Sequence, residues 1–202
     1  MLAFAAVYAM FYLNDLPMLA VRGTYWVYVI DYVTRAAVII AIVVVPHLRA
    51  ASSDWGRLRV RWYEAAILTA IPVVAYTPLL EHLAIPLNNA LKFPYAFGWL
   101  KIDQPFLRLV DLSFGLILVA ISEELVCRQL ARTYLLPLLK TEWATALVAA
   151  VVFGLMHWGT GIGIVVVATI MGLVFWWTWR ESGSLVVPII GHYFANLFFF
   201  MS

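Results

Sequence analysis

Residues 38–45 read VIIAIVVV, and residues 146–153 read ALVAAVVF. Neither run alternates apolar with polar, so neither fits a strand of a membrane barrel. Both are continuously apolar and too long for a buried strand, which leaves a helix surrounded by apolar neighbours. Working outward, further runs of this kind cover about 1–20, 24–47, 63–83, 106–136, 142–158, 163–179 and 184–201. A bilayer core of about 30 Å takes roughly 20 apolar residues in a helix, with every backbone group paired internally. The expected fold is all-α: a polytopic helical membrane bundle of about seven transmembrane helices, with six to eight as the bracket. One integral-membrane domain should occupy 1–202.

Composition excludes the main alternatives. Of 202 residues, 65% are hydrophobic and 12% charged, with a mean hydropathy of +0.94. Ordinary soluble domains carry about a quarter charged residues. Thirteen basic residues against eleven acidic give +2, which offers no footprint for nucleic acid. A single cysteine, Cys127, supports neither a disulfide framework nor a thiolate metal site. The opening MLAFAAVYAMFYL has no basic residue before its apolar run, so it reads as a retained helix rather than a signal peptide. Between the third and fourth apolar runs, IPLNNALKFPYAFGWLKIDQP has the prolines and aromatics of an interfacial or re-entrant stretch.

Orientation follows from basic residues near helix ends. Arg49, Arg57, Arg59 and Arg61 put loop 48–62 in the cytoplasm, and Arg128, Arg132, Lys140 and Arg180 fall on the same side. Arg22, Lys92, Lys101 and Arg108 then lie outside. Trp176, Trp177 and Trp179 beside Arg180 fit an aromatic belt at the inner interface. The expected location is the inner (plasma) membrane of a prokaryote, with lipid as the surrounding partner.

Ionisable groups within apolar helices are expensive, about 2.5–3.5 kcal/mol each on insertion scales, so a group of them marks a site. Three such groups occur in the second half of the chain. Ser122-Glu123-Glu124-Leu125-Val126-Cys127-Arg128 follows the run LSFGLILVAI, His157 ends VVFGLMH, and His192 with Asn196 lies inside SLVVPIIGHYFANLFFF. Glu124 and Arg128 are four apart and share a helix face, while Glu123 is turned about 100° away and is free to face a cavity. His192 and Asn196 are also four apart, and Phe153 sits one turn before His157. Taken singly, each group also fits a structural role: a paired charge at a helix end, a core histidine, or polar glue between helices. Counting at 1.5 Å per residue puts Glu123 and His157 about 20 Å deep and His192 about 15 Å, in a fourth helix of about 46 Å. Gly159, Gly161 and Gly163 should form a turn just after His157. Asp31 and Arg35, an i, i+4 pair on the second helix, read as structural, and Glu81, His82 and Asp111 as helix-end residues.

In order and on successive helices, Glu123-Glu124-x-x-x-Arg128, Phe153-x-x-x-His157 and His192-x-x-x-Asn196 resemble the three motifs of the CAAX-protease and bacteriocin-processing family. This family, also called the abortive-infection family, comprises intramembrane glutamic proteases and includes the type II CAAX prenyl endopeptidases. The resemblance lies within 106–201. It implies a peptide-bond hydrolase in which Glu123 and His157 activate a water, His192 and Asn196 stabilise the tetrahedral oxyanion, and Glu124 and Arg128 support them. The substrate so implied is a membrane-associated peptide or protein: a prenylated C-terminus, a leader peptide or a sorting tail.

The chemistry is coherent without the family. A general base needs its water within about 2.6–3.2 Å, and a neighbouring cation would keep Glu123 charged in an apolar setting. Neutral histidine and asparagine N–H donors at the oxyanion are worth about 2.7–4 kcal/mol each. A hydrated cavity is then required, reached from the cytoplasmic side. No cofactor is expected. One glutamate and two histidines also make a zinc set with an open position, so a zinc metalloprotease is the nearest rival, although H-E-x-x-H is absent. A non-catalytic membrane partner of the immunity type is a second rival. A proton-coupled transporter is disfavoured by the lack of an inverted repeat.

Overall fold

The computed structural model describes residues 1–92 and 102–201. Among them the chain forms eight helices and no strand, beyond one isolated bridge between Gly56 and Ser184. They are α1 (Leu2–Ala20), α2 (Trp26–Val44), α3 (Pro46–Ser52), α4 (Trp62–Leu91), α5 (105–139), α6 (Glu142–Leu155), α7 (Ile162–Ser182) and α8 (Val186–Met201). The seven apolar runs all lie in helices, and the short α3 is the addition. α1, α2, α4 and α7 are long and apolar enough to cross a membrane by themselves, and α6 and α8 are shorter apolar helices. The fold is an all-α membrane bundle.

Local chemistry sets the helix ends. Val45, held extended by the proline that follows, stops α2, and Pro46 opens α3. Gln104 accepts the Leu107 N–H at the start of α5, and Thr141 accepts the Ala144 N–H at the start of α6. Gly183, at φ +75°, closes α7. α5 is one helical run of about 52 Å at 1.5 Å per residue, interrupted by π-turns at Asp111–Gly115 and Leu125–Leu130.

Three expectations are corrected here. Residues 84–91, read as part of an interfacial stretch, continue α4 through a π-turn at Leu80–Ala84. Pro86 removes one helical donor, and the widened turn accommodates it without ending the helix. Glu81 and His82 therefore lie inside α4, and residues 93–101 of the expected stretch lie outside the described residues. α6 stops at Leu155 rather than running to 158, which leaves His157 in the turn. Trp176 and Trp179 are buried rather than belted at an interface, since α7 is covered on several sides; Trp177 alone of the three is exposed.

Glycine and alanine bring the functional helices close. Ala146, Ala150 and Gly154 repeat every four residues along α6, facing α7. A Cβ at Gly172 would lie 3.0 Å from Ala150 Cα, so backbone contact at this crossing depends on glycine. A Cβ at Gly191 would lie 2.8 Å from Pro72 Cγ, so α8 meets α4 immediately before His192. The turn 158–161 returns the chain to α7 with Gly161 at φ +102°. Asn88 of α4 accepts the Gly163 N–H at 2.6 Å, meeting one of the open donors of the α7 N-terminus inside the protein.

The bundle has two distinct ends. At one, the 45–61 connection meets 180–185: Arg59 N–H donates to the Ser182 carbonyl and Leu185 N–H to that of Trp55, both at 2.8 Å. At the other lie the α1–α2 connection, the start of α5 and the 156–161 turn.

Candidate active site

Glu123 and Glu124 end an α-helical segment of α5, immediately before the Leu125–Leu130 π-turn. The 100° step between neighbouring helical residues sends them in different directions. Glu124 is turned into the protein, fully buried with Arg128, which lies 3.0 and 3.1 Å from its two oxygens. The Arg128 guanidinium also lies 4.8 Å from the Phe153 ring centre and 5.5 Å from that of Phe175. A buried ion pair with such packing locks the α5–α6–α7 junction.

Glu123 faces a cavity of about 540 Å³. Glu123, His157, His192 and Asn196, drawn from two helices and a turn, all line it. His192 Nε2 is 3.7 Å from Glu123 Oε2, and His192 Nδ1 is 2.9 Å from Glu124 Oε1. The His192 ring stacks on Phe175 at 4.7 Å between centres. His157 Nδ1 lies 3.1 Å from the Phe153 carbonyl, and the Phe153 ring meets both imidazoles edge to face. Asn196 is half-buried on the cavity wall, one turn beyond His192.

These contacts assign the imidazole protons. A carbonyl only accepts, so His157 Nδ1 carries the hydrogen and its Nε2 is the ring's acceptor. An ionised Glu124 likewise requires the hydrogen of His192 on Nδ1. A neutral His192 would then present a lone pair, not a donor, at Nε2. With that tautomer, His192 would donate from Nε2 only as an imidazolium.

The sequence reading missed one member of the cluster. Arg35 of α2, taken as locally paired, reaches across to Glu123 with Nη1 2.6 Å from Oε1, while its Nε holds Asp31 Oδ2 at 2.8 Å. Asp31 accepts in turn from Asn14 Nδ2 at 3.1 Å, and Asn14 accepts from Thr34 Oγ1 at 2.7 Å. The signal was available, because Asp31 and Arg35 are also ionisable groups in the middle of an apolar helix. Glu123 Oε1 is thus occupied, whereas its Oε2 is buried with no hydrogen-bond partner among the described residues.

The cavity position overturns a further expectation. Its wall takes Asn14 and Met18 from late in α1, Tyr28 and Asp31 from early in α2, Asp111 from early in α5, Thr160 from the turn, and Phe199 and Phe200 from late in α8. It therefore extends toward the end of the bundle opposite loop 48–62. A cytoplasmic loop 48–62 and a cavity reached from the cytoplasm exclude each other. Among the described residues no group of three or more His, Cys, Asp or Glu is placed to hold a metal ion.

The family model for type II CAAX prenyl endopeptidase Rce1-like matches residues 105–198, just under half of the chain, from the start of α5 nearly to the end of α8. Neither curated proteins nor solved structures gave a match. The matched stretch carries all seven motif residues, whereas Arg35 lies outside it. Residues 105–198 are thus similar to the type II CAAX prenyl endopeptidases of the Rce1-like family, a likeness that supports a CAAX-type membrane endopeptidase in general.

Proposed function

We propose that the protein is an intramembrane glutamic-type endopeptidase that cleaves a membrane-associated peptide. The observation that carries this reading is the convergence of Glu123, His157, His192 and Asn196 on one cavity, with Glu123 Oε2 left unpartnered there. Arg35 holds Oε1, so Oε2 is the oxygen available to a water proton. As the water oxygen bonds to the scissile carbonyl carbon, its proton passes to Glu123 Oε2. His157, with Nε2 as acceptor, shares in the transfer that delivers the proton to the leaving nitrogen as the C–N bond breaks. Asn196 and an imidazolium His192 donate to the oxyanion. Among the described residues Asp31 and Glu123 pair with Arg35, Glu124 pairs with Arg128, and His192 stands between the two glutamates.

The same charges support a metal-free reading over zinc. A guanidinium 2.6 Å from Glu123 and a carboxylate already on His192 Nδ1 leave a poor donor set for a dication. Prenylated, leader and sorting-tail peptides all remain within the substrate class. The four arginines of loop 48–62 support its placement in the cytoplasm, in a prokaryotic plasma membrane, with the cavity toward the outer half.

The test is cleavage of a randomised peptide mixture by purified protein in detergent. Glu123→Gln should lower the rate about 10²–10⁴-fold with the folded state retained, and zinc chelators should leave the wild type active. Equal cleavage by Glu123→Gln, or activity lost on chelation and restored by zinc, overturns the reading.

A further inference from the structure

Between the catalytic cluster and the α1–α2 end of the bundle, the cavity wall carries three more carboxylates, from three helices: Asp15, Asp31 and Asp111. Asp31 is held by Arg35 and Asn14. Asp111 accepts a hydrogen bond from Tyr32 Oη. Asp15 is 6% exposed, and its carboxylate lies near the backbone N–H of Gly159. Its Oδ2 has no hydrogen-bond partner among the described residues.

Charge on this wall is one-sided. Asp15, Asp31, Asp111 and Glu123 face the cavity against Arg35, Arg108 and the imidazole of His192, and Arg35 is already shared between Asp31 and Glu123, so negative charge is in excess. A buried carboxylate oxygen without a partner is costly, and an enclosed wall of one sign concentrates ligands of the other. The carboxylates are dispersed rather than gathered as metal ligands. Tyr28 and Tyr32 stand among them, with ring centres 6.3 Å apart. Dispersed negative charge with aromatic faces suits an organic cation better than a bare metal ion.

We propose that this wall is a subsite for a cationic group of the peptide substrate, an ammonium or guanidinium from a basic side chain or a free α-amine, which pairs with Asp15. The proposal rests on the protease reading for its substrate, but not for the binding itself. One guanidinium bridges Asp31 and Glu123, and Asp15 lines the same wall; with a peptide advancing about 3.3–3.6 Å per residue, the cation falls within a few residues of the scissile bond.

Two readouts on the purified full chain in detergent test this. In the first, thermal unfolding is followed with N-acetyl-lysine methylamide or N-acetyl-norleucine methylamide. Saturable stabilisation by the lysine compound alone, absent in Asp15→Asn, is expected; equal shifts from both probes, or a shift kept in Asp15→Asn, overturn the subsite. In the second, cleavage of the randomised peptide mixture should favour a basic residue within three positions of the cut by about tenfold, the weight of one charge-assisted hydrogen bond. Asp15→Asn should bring that preference close to even. Cleavage by the wild type without a basic preference overturns the subsite and leaves the protease reading standing. Selective lysine binding with no cleavage of any peptide does the reverse. If Asp15→Asn does not fold, Asp111→Asn is read by the same two measurements, and an unchanged preference there counts against the proposal.

Discussion

Replacing Arg35 with glutamine removes the guanidinium that lies 2.6 Å from Glu123 Oε1 and 2.8 Å from Asp31 Oδ2. All three side chains are at least nine-tenths buried, so neither carboxylate can recover its hydration in place. Breaking a buried pair by removing one partner costs about 3–5 kcal/mol, most of it the stranded charge. Arg35→Gln should therefore lose stability in that range. Glu123→Gln, which leaves Arg35 paired with Asp31, should lose only about 1–2 kcal/mol. The double variant strands one carboxylate instead of two, so its loss should fall short of the sum by about 1.5–3 kcal/mol. Arg35→Lys should be intermediate, because a compact ammonium meets one carboxylate where the planar guanidinium meets two. The assay is denaturant unfolding in detergent micelles, followed by the fluorescence of the nine tryptophans. Losses that add within about 0.5 kcal/mol would refute the coupling, and with it the view that α2 helps hold the candidate catalytic carboxylate.

Glu124→Gln keeps the side-chain volume but weakens the bond that orients His192, so peptide cleavage should fall about 10²-fold in kcat with little change in KM; an unchanged kcat would remove Glu124 from the positioning scheme. Gly163→Ala drives a methyl group into the Ala84 carbonyl oxygen of α4, and should cost about 1–3 kcal/mol on unfolding. Asn88→Ala, which loses the 2.6 Å bond to the Gly163 N–H, should cost about 1 kcal/mol; native-like stability of both would contradict this packing of α4 on α7. Cys127 is fully buried, so Ser53→Cys supplies a single exposed thiol on loop 48–62. In intact cells an impermeant maleimide should fail to label it if that loop faces the cytoplasm.

Most of the helix inventory was legible because hydrophobic runs are a local property. The runs at 38–45 and 146–153 admit no other regular structure in lipid, and the seven apolar stretches all appear as helices. Boundaries were less legible. Pro86 was read as part of an interfacial stretch beyond the run 63–83, yet a π-turn carries α4 on to Leu91. His157 was expected in a helix that instead ends at Leu155, because the glycine-rich turn pulls the chain toward α7.

The candidate site divides along the same line. The pairing of Glu124 with Arg128 follows from four-residue spacing, as does the turning of Glu123 away from it, since both depend only on the rotation of one helix. Sequence alone also determined the bundle class and the three motifs. The tertiary structure alone decided that Arg35 reaches Glu123 as well as Asp31, that Glu124 sets the proton of His192, and that the cavity extends away from loop 48–62. The first two depend on side chains more than sixty residues apart, brought within about 3 Å by the crossings of α2 and α8 with α5. Periodicity describes one helix at a time and carries no information about which face of another helix it will meet.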